Sequence, residues 1–446
     1  MNISKYDKDI YENIEELCSM PLLREDRIPL SNLFITMLFL KTISLGYYIL
    51  NDKESFEAAM RFHGNILDDD YTNPLSDAQI LQDRAAKYYG KSELKTITLG
   101  VDTKAINEAM KYKPLNNLCD KLIQVRDNES YEVFLRYLEV VLFNIAKYRR
   151  GRFFRFTDFW NLDMDLIEIA AKVLDVKDEH TFADFTSGYG ITTLFILGDK
   201  KPNIILRDNA EDVLALSQML LIAAGKDIEN VKLEDIFHVD GNEDLKADRI
   251  FMDPPFRTSP EGGCTSIDGI ELKDAWVAAI MKSVKALKDD GMAIIAVPAI
   301  VLHGVQNGLK EVREYLLENH LLQAVAGLPR CWKNSNIPTH ILVLSKRNNT
   351  KARFINCIPP SIERSIAGPY YHAFNAVPEL LTKDIEPEYE NFAKDVDYKD
   401  ISAESFIAGV YVTQNDTQTK HDRKDIDDKL RSLYEEMGRA IEDLLK

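Results

Sequence analysis

Four aspartates stand where apolar runs give way to turns: Asp184, Asp208, Asp235 and Asp253. A carboxylate accepts hydrogen bonds from hydroxyls and amines, so each can grip a polar ligand. The last opens Asp253-Pro254-Pro255-Phe256, and proline fixes φ and has no N–H for a sheet ladder. That tetrapeptide therefore predicts a strand end followed by a rigid wall, with an acceptor on one side and an aromatic face on the other. A packed structural turn with a core phenylalanine is the plainer reading of the same four residues.

The first aspartate begins Asp184-Phe-Thr-Ser-Gly-Tyr-Gly190. Its glycines permit a tight turn and close backbone approach, and a helix start would offer unpaired N–H groups just beyond. Asp208 follows the next apolar run, where a carboxylate can take two ribose hydroxyls. Asp235 follows the third and can accept from the exocyclic amine of an adenine. Each alone could be a surface carboxylate, but three at successive strand ends point to a nucleoside ligand. The sequence has neither GxxxxGK[ST] nor a GxGxxG fingerprint. These positions alone leave a dinucleotide and S-adenosylmethionine open, and Asp253 to Phe256 favour the second. An adenine extruded from DNA could stack on Phe256 and give its amine protons to Asp253 and the Pro254 carbonyl, leaving the nitrogen lone pair to meet a methyl group.

Short apolar runs must position these residues. Strands are predicted at Thr181 to Phe185, Asn203 to Leu206, Val231 to Leu233, Arg249 to Met252, Met292 to Val297 and Leu322 to Leu328. Helices are predicted at Ala210 to Ala224, Leu272 to Leu287 and Leu309 to Glu318. This alternation indicates an α/β sheet covered on both faces, with its ligand in a crevice. The first 150 residues show helical periods instead, and Pro29 to Leu50 reads as a buried helix rather than a membrane span because Asn32, Lys41 and hydroxyls interrupt it. Near the end, Ile426, Leu430, Leu433, Met437, Ile441 and Leu444 mark an amphipathic helix that could dock internally or on a partner.

The chain has 446 residues, enough for two or three domains, and a formal net charge of −17. Such acidity disfavours a surface that clasps nucleic acid everywhere, and leaves a local basic face. The most basic run is Lys147-Tyr-Arg-Arg-Gly-Arg-Phe-Phe-Arg155. There Lys147, Arg149, Arg150 and Arg152 could meet phosphates, or simply be solvated. Five scattered cysteines without a CxxC pair suggest reduced thiols in the cytoplasm, and no histidine has metal-ligand spacing. The first residues do not read as a signal peptide. The stretch "RTSPEGGCTSIDGI" after Phe256 could cover a bound base or be a surface connection.

The order of motifs resembles the modification subunits of type I restriction-modification systems, within the adenine-N6 DNA methyltransferases. The resemblance rests on "DFTSGYG" at 184–190, "DNAEDVLALSQMLLIAAG" at 208–225, "EDIF" at 234–237, "DPPF" at 253–256, "LKDDGMAIIAVPAIVLHG" at 287–304 and the run at 312–347. It implies a Rossmann-like class I methyltransferase sheet, with an N-terminal helical domain at 1–150, a core at 151–360, and an irregular and helical assembly region with a C-terminal helical segment at 361–446. It also implies S-adenosyl-L-methionine as cofactor, held by Asp184, Thr186, Gly188, Gly190, Asp208 and Asp235, with Asp253, Pro254, Pro255 and Phe256 at the target base and no metal. Double-stranded DNA, a separate specificity subunit and a restriction motor/nuclease subunit are the implied partners, with no membrane. Some positions depart from the family pattern: Phe185 and Ser187 stand at its Pro and Cys, Asp253 at its common Asn, and Arg155 and Phe156 at its Thr and Pro. A methyltransferase-like assembly subunit without strong activity is the alternative that these departures raise.

Overall fold

A computed structural model describes residues 7–19, 30–46, 49–66, 70–95, 103–147, 163–238, 245–255, 258–260, 262–329, 331, 337–359 and 369–412. The basic run from 148 onward, Phe256 and the amphipathic C-terminal segment lie outside the described residues, as does the side chain of Lys147.

Nine strands form one sheet: β1 Thr181–Asp184, β2 Asn203–Asp208, β3 Asn230–Leu233, β4 Ala247–Met252, β7 Leu287–Pro298, β8 Leu322–Leu328, β9 Thr339–Ser345, β10 Lys351–Asn356 and β11 Ala393–Asp397. Two more, β5 Ser266–Ile267 and β6 Ile270–Glu271, make a separate hairpin. Across the sheet the order is β11-β10-β8-β9-β7-β4-β1-β2-β3. From β3 to β7 every neighbour is parallel, as expected where helices cross over between strands. The antiparallel β9 then fits between β7 and β8, completing the Rossmann-like sheet that the resemblance implies, extended by β10 and β11. Apolar residues alternate between two cores: Phe182, Leu206 and Ile294 point to one face, and Ala183, Ile205 and Ile295 to the other.

All six predicted strands are present, with boundaries moved by up to five residues, and the Leu309–Glu318 helix matches its predicted bounds. The prediction omitted β9, although all seven of its residues are buried. It also omitted β10 and β11. In β11 only Ala393 and Val396 are buried, so no apolar run marks it. Bidentate pairing of Arg353 with Asp395, at 2.7 and 2.8 Å, fastens this edge. Two short helices, Pro369–Asn375 and Val377–Thr382, precede β11.

The N-terminal helices share a core with the first sheet face. Their centre is Leu30–Leu45, which is buried on nearly every side, Lys41 included, the pattern of a core helix rather than an amphipathic one. Lys41 Nζ meets both oxygens of Asp120 at 2.8 and 3.0 Å, which satisfies its charge. Among the described residues, no helix is long and apolar enough to cross a membrane.

Beyond the apolar packing of Leu30–Leu45, polar contacts fasten the helical layer to the C-terminal end of Glu211–Ala223 and to the start of β3. Arg126 and the Tyr131 hydroxyl donate to the carbonyls of Ala223 and Ala224 at 2.7 and 3.0 Å. Lys91 Nζ donates to those of Glu229 and Val231 at 2.7 and 2.9 Å. Helix ends leave carbonyls such as those of Ala223 and Ala224 without intrahelical donors, and the Arg126 cation there also opposes the negative end of the helix dipole. Lys91→Met removes both donations, one to the buried Val231 carbonyl and one to the part-buried carbonyl of Glu229, and is expected to lower the unfolding free energy by about 1–3 kcal/mol. Urea denaturation measures this, and a loss below about 0.5 kcal/mol would rule out a role for Lys91 in joining the layers.

Candidate functional site at the sheet's switch point

Strands β1 and β4 lie side by side and parallel, with Phe182 opposite Arg249 and Ala183 opposite Ile250. Strand order reverses between them: β2 and β3 extend one way, β7 and its neighbours the other. Their carboxyl ends therefore splay apart at one edge and open a crevice. The glycine turn leaves β1 there, and Asp253 and the prolines leave β4 beside it. Asp253 is partly exposed, Pro254 buried and Pro255 exposed.

Asp184 is buried at the base of the turn, where one carboxyl oxygen accepts from the Thr186 N–H at 2.8 Å and from its hydroxyl at 3.2 Å. Burial pushes this carboxyl up to about 7; the Thr186 hydrogen bonds oppose the rise, and the negative charges of Asp253 and Asp208 add to it. The three carboxyls stand at or just past the carboxyl ends of the neighbouring parallel strands β1, β2 and β4. Asp208 braces the turn from β2: it accepts from the Gly188 N–H at 2.9 Å and the Ala210 N–H at 3.0 Å. Burial raises its pKa, and those backbone bonds oppose the rise. The Ser187 N–H and hydroxyl both donate to the Arg207 carbonyl, at 2.9 and 3.1 Å.

Two glycines are needed for different reasons. Gly188 has φ of 53° and Gly190 of 72°, in the left-handed region. A Cβ on Gly190 would fall 2.6 Å from Ser217 Oγ, whereas one on Gly188 would meet nothing within 4 Å. The turn thus packs hard against the Glu211–Ala223 helix on one side and leaves room for a ligand on the other. The backbone N–H groups of Gly188, Ala210 and Asn209 all donate to Asp208, which leaves its carboxylate one further lone pair for a hydroxyl. The partly exposed Asp235 holds its own turn by accepting from the Phe237 N–H at 3.0 Å. The glycine turn thus leaves open space at Gly188, and the acceptors Asp208 and Asp235 follow at or just past the ends of the next two strands along the edge.

Sequence reasoning missed the charges behind these acceptors. Glu234 accepts from Arg207 Nε at 3.0 Å and from Lys282 Nζ at 2.5 Å, and both cations are almost fully buried. A charged residue inside an otherwise apolar run was the available signal, as in "NIILRD" and "AWVAAIMKSVKA". The suggested cover over the base is, from Thr265 to Leu272, a docked hairpin built on β5 and β6. Ile267 and Leu272 are buried, and Tyr315 donates to Asp268 at 2.6 Å. Its Asp-Gly turn has positive φ at both residues, the geometry a tight hairpin requires.

A family model described as N-6 DNA methylase matches residues 164–422. The chain belongs to the N-6 DNA methylase family. Solved structures agree on the fold. The type I restriction-modification methyltransferase subunit from Streptococcus thermophilus superposes with a TM-score of 0.60 at 16% identity, covering 88% of this chain and 95% of that one. A modification subunit of a putative type I restriction enzyme from Vibrio vulnificus gives 0.57 at 13% identity, covering 87% and 92%. A comparison with curated proteins finds no match.

Two outcomes test this geometry. Gly190→Ala is expected to destabilise the methylase fold by roughly 1–3 kcal/mol through strain and the Ser217 contact, and Ser217→Ala to return part of that loss. Equal stability of Gly190→Ala and wild type in urea would contradict the turn. The raised pKa of Asp184 means that the folded state holds its proton more tightly than the unfolded chain. Its stabilising contribution is complete below about pH 4 and lost as pH rises through about 7. Relative to wild type, Asp184→Asn should therefore gain stability across that window and no further above it, as followed by denaturation at each pH.

Proposed function

We propose that this N-6 DNA methylase transfers the methyl group of S-adenosylmethionine to the exocyclic nitrogen of an adenine turned out of double-stranded DNA. The observation that carries the reading is the parallel pairing of β1 and β4, which sets the glycine turn and the Asp253-Pro-Pro wall on one crevice. Along that edge Asp208 accepts from a ribose hydroxyl and Asp235 from the cofactor's adenine amine. Thr186, Gly188 and Gly190 leave room for the methionine end beside Asp184. When bound, the cofactor supplies an electrophilic methyl on sulfur.

Across the crevice, the Asp253 carboxylate and the Pro254 carbonyl each accept one proton of the target amine. This turns the nitrogen lone pair toward the methyl group. Holding both partners in line can contribute about 7–11 kcal/mol to catalysis. Extruding a base costs a few kcal/mol, which Phe256 offsets by stacking in this reading. Asp253 acts as acceptor and aligner, and its charge, at the same sheet edge as Asp184 and Asp208, also favours cations in the crevice.

Sequence choice in the DNA belongs, in this reading, to a separate specificity subunit, with a restriction motor/nuclease subunit as a further partner. Support comes from the fold shared along almost the whole length of chains described as type I methyltransferase and modification subunits. Reconstitution with a cognate specificity subunit, duplex DNA and radiolabelled S-adenosylmethionine should yield N6-methyladenine. Label in protein or RNA with unmodified DNA would refute the substrate. In the same assay Asp253→Ala should bind the cofactor within about threefold of wild type and lose transfer by on the order of 100-fold or more; undiminished transfer would remove Asp253 from the mechanism.

A further inference from the structure

The turn that carries Asp235 is not held by its own strand alone. Glu234 N–H donates to the Asp208 carbonyl at 2.9 Å, continuing the β2–β3 ladder. Further ties come from the chain beyond the Asp-Pro-Pro wall. Lys282, on the Ala275–Ala286 helix, donates to the Glu234 carboxylate at 2.5 Å and to the Asp235 carbonyl at 3.3 Å. Thr265 gives both its N–H and its hydroxyl to the Phe237 carbonyl, at 3.1 and 3.2 Å. The helix bearing Lys282 starts at Asp274, and the Ala275 N–H donates to the Thr258 carbonyl at 3.2 Å. One segment, residues 258–282, thus runs on from the target-base wall and fastens the turn at residues 234, 235 and 237.

Burial makes the Lys282 tie consequential. Its side chain is only 7% exposed, and Glu234, at 16%, is also held by Arg207, at 1%. A buried cation that loses its partner is penalised heavily, so the ammonium, Glu234 and the Asp235 carbonyl keep a fixed relation. The Asp235 side chain, by contrast, is 35% exposed. Its aim is set by the backbone that Lys282 and Thr265 hold.

We propose that Lys282, assisted by Thr265, is a positioning residue of the cofactor's adenine subsite and ties that subsite to the segment carrying the target-base wall; the inference rests on the methyl-transfer reading above. Neither side chain touches reacting atoms. Their loss lets the Asp235 turn drift, which weakens grip on adenosine in ground and transition states alike. Such a change raises KM for the cofactor and spares kcat.

The test is calorimetric binding of S-adenosylmethionine to the full chain, paired with steady-state transfer in the reconstituted complex. Lys282→Met is expected to weaken cofactor binding about tenfold and to raise its KM equally, with kcat within about twofold. Lys282→Arg should recover most of the affinity, and Thr265→Val, which keeps the backbone N–H, should weaken binding about threefold. Hydrogen exchange at residues 234–238 should quicken in Lys282→Met and Thr265→Val. Should Lys282→Met fail to fold by circular dichroism, Thr265→Val and Lys282→Arg decide the matter. Wild type that binds no cofactor overturns both this inference and the functional reading. Wild type that binds, with Lys282→Met or, failing that, Thr265→Val equally tight, overturns this inference alone, as does a fall in kcat at unchanged KM.

Discussion

Parallel pairing of β1 with β4 obliges the chain after Asp184 and the chain after Met252 to leave the sheet at the same edge. Crossover helices on both faces make that pairing possible, and the reversal of strand order beside it opens a gap at that edge. The remaining features of the crevice depend on this. Asp208 can reach back to the Gly188 N–H only because β2 pairs with β1 in register, Asp184 opposite Leu206. Asp235 extends the same edge because β3 pairs with β2.

The crevice gathers negative charge in a chain already acidic, with a formal net charge of −17. Bringing Asp184, Asp208 and Asp253 together is unfavourable and adds to the larger effect of burial, which is why Asp184 holds its proton to about pH 7. The protein opposes the repulsion with backbone N–H groups in front and buried cations behind. Thr186, Gly188 and Ala210 donate to the first two carboxyls. Arg207 and Lys282 bracket Glu234 beneath the second and third strand ends. A cationic sulfonium ligand would meet a surface suited to it, while DNA would need basic residues from elsewhere.

The helical layer is part of the same physical unit. Arg126 and the Tyr131 hydroxyl close the carbonyls at one end of the Glu211–Ala223 helix, and the middle of that helix packs Ser217 under Gly190. A displacement of the layer would thus press on the glycine turn through a single rigid element. Lys226 sits at the junction, donating to the carbonyls of Gly198 and Lys200 while lying 4.6 Å from the Tyr131 ring centre. Desolvation lowers its pKa to about 8.

The sequence by itself determined six strands and three helices of the methylase core and the kind of residue at the ends of β1 to β4. Buried parallel strands need continuous apolar runs, and turns that need positive φ need glycine, so both leave marks in local composition. Residues 184–190 and 253–255 were legible for that reason. The polar β11, held by Arg353 and Asp395, was not, because edge strands carry little apolar signal, and β9 was missed altogether, its place and direction being set by distant partners. Only the tertiary structure decided that Thr265 and Lys282 meet the Asp235 turn across 28 and 47 residues of chain. Hydrogen bonds between remote segments have no period or motif; they exist only once β4 has delivered the downstream chain to the turn after β3.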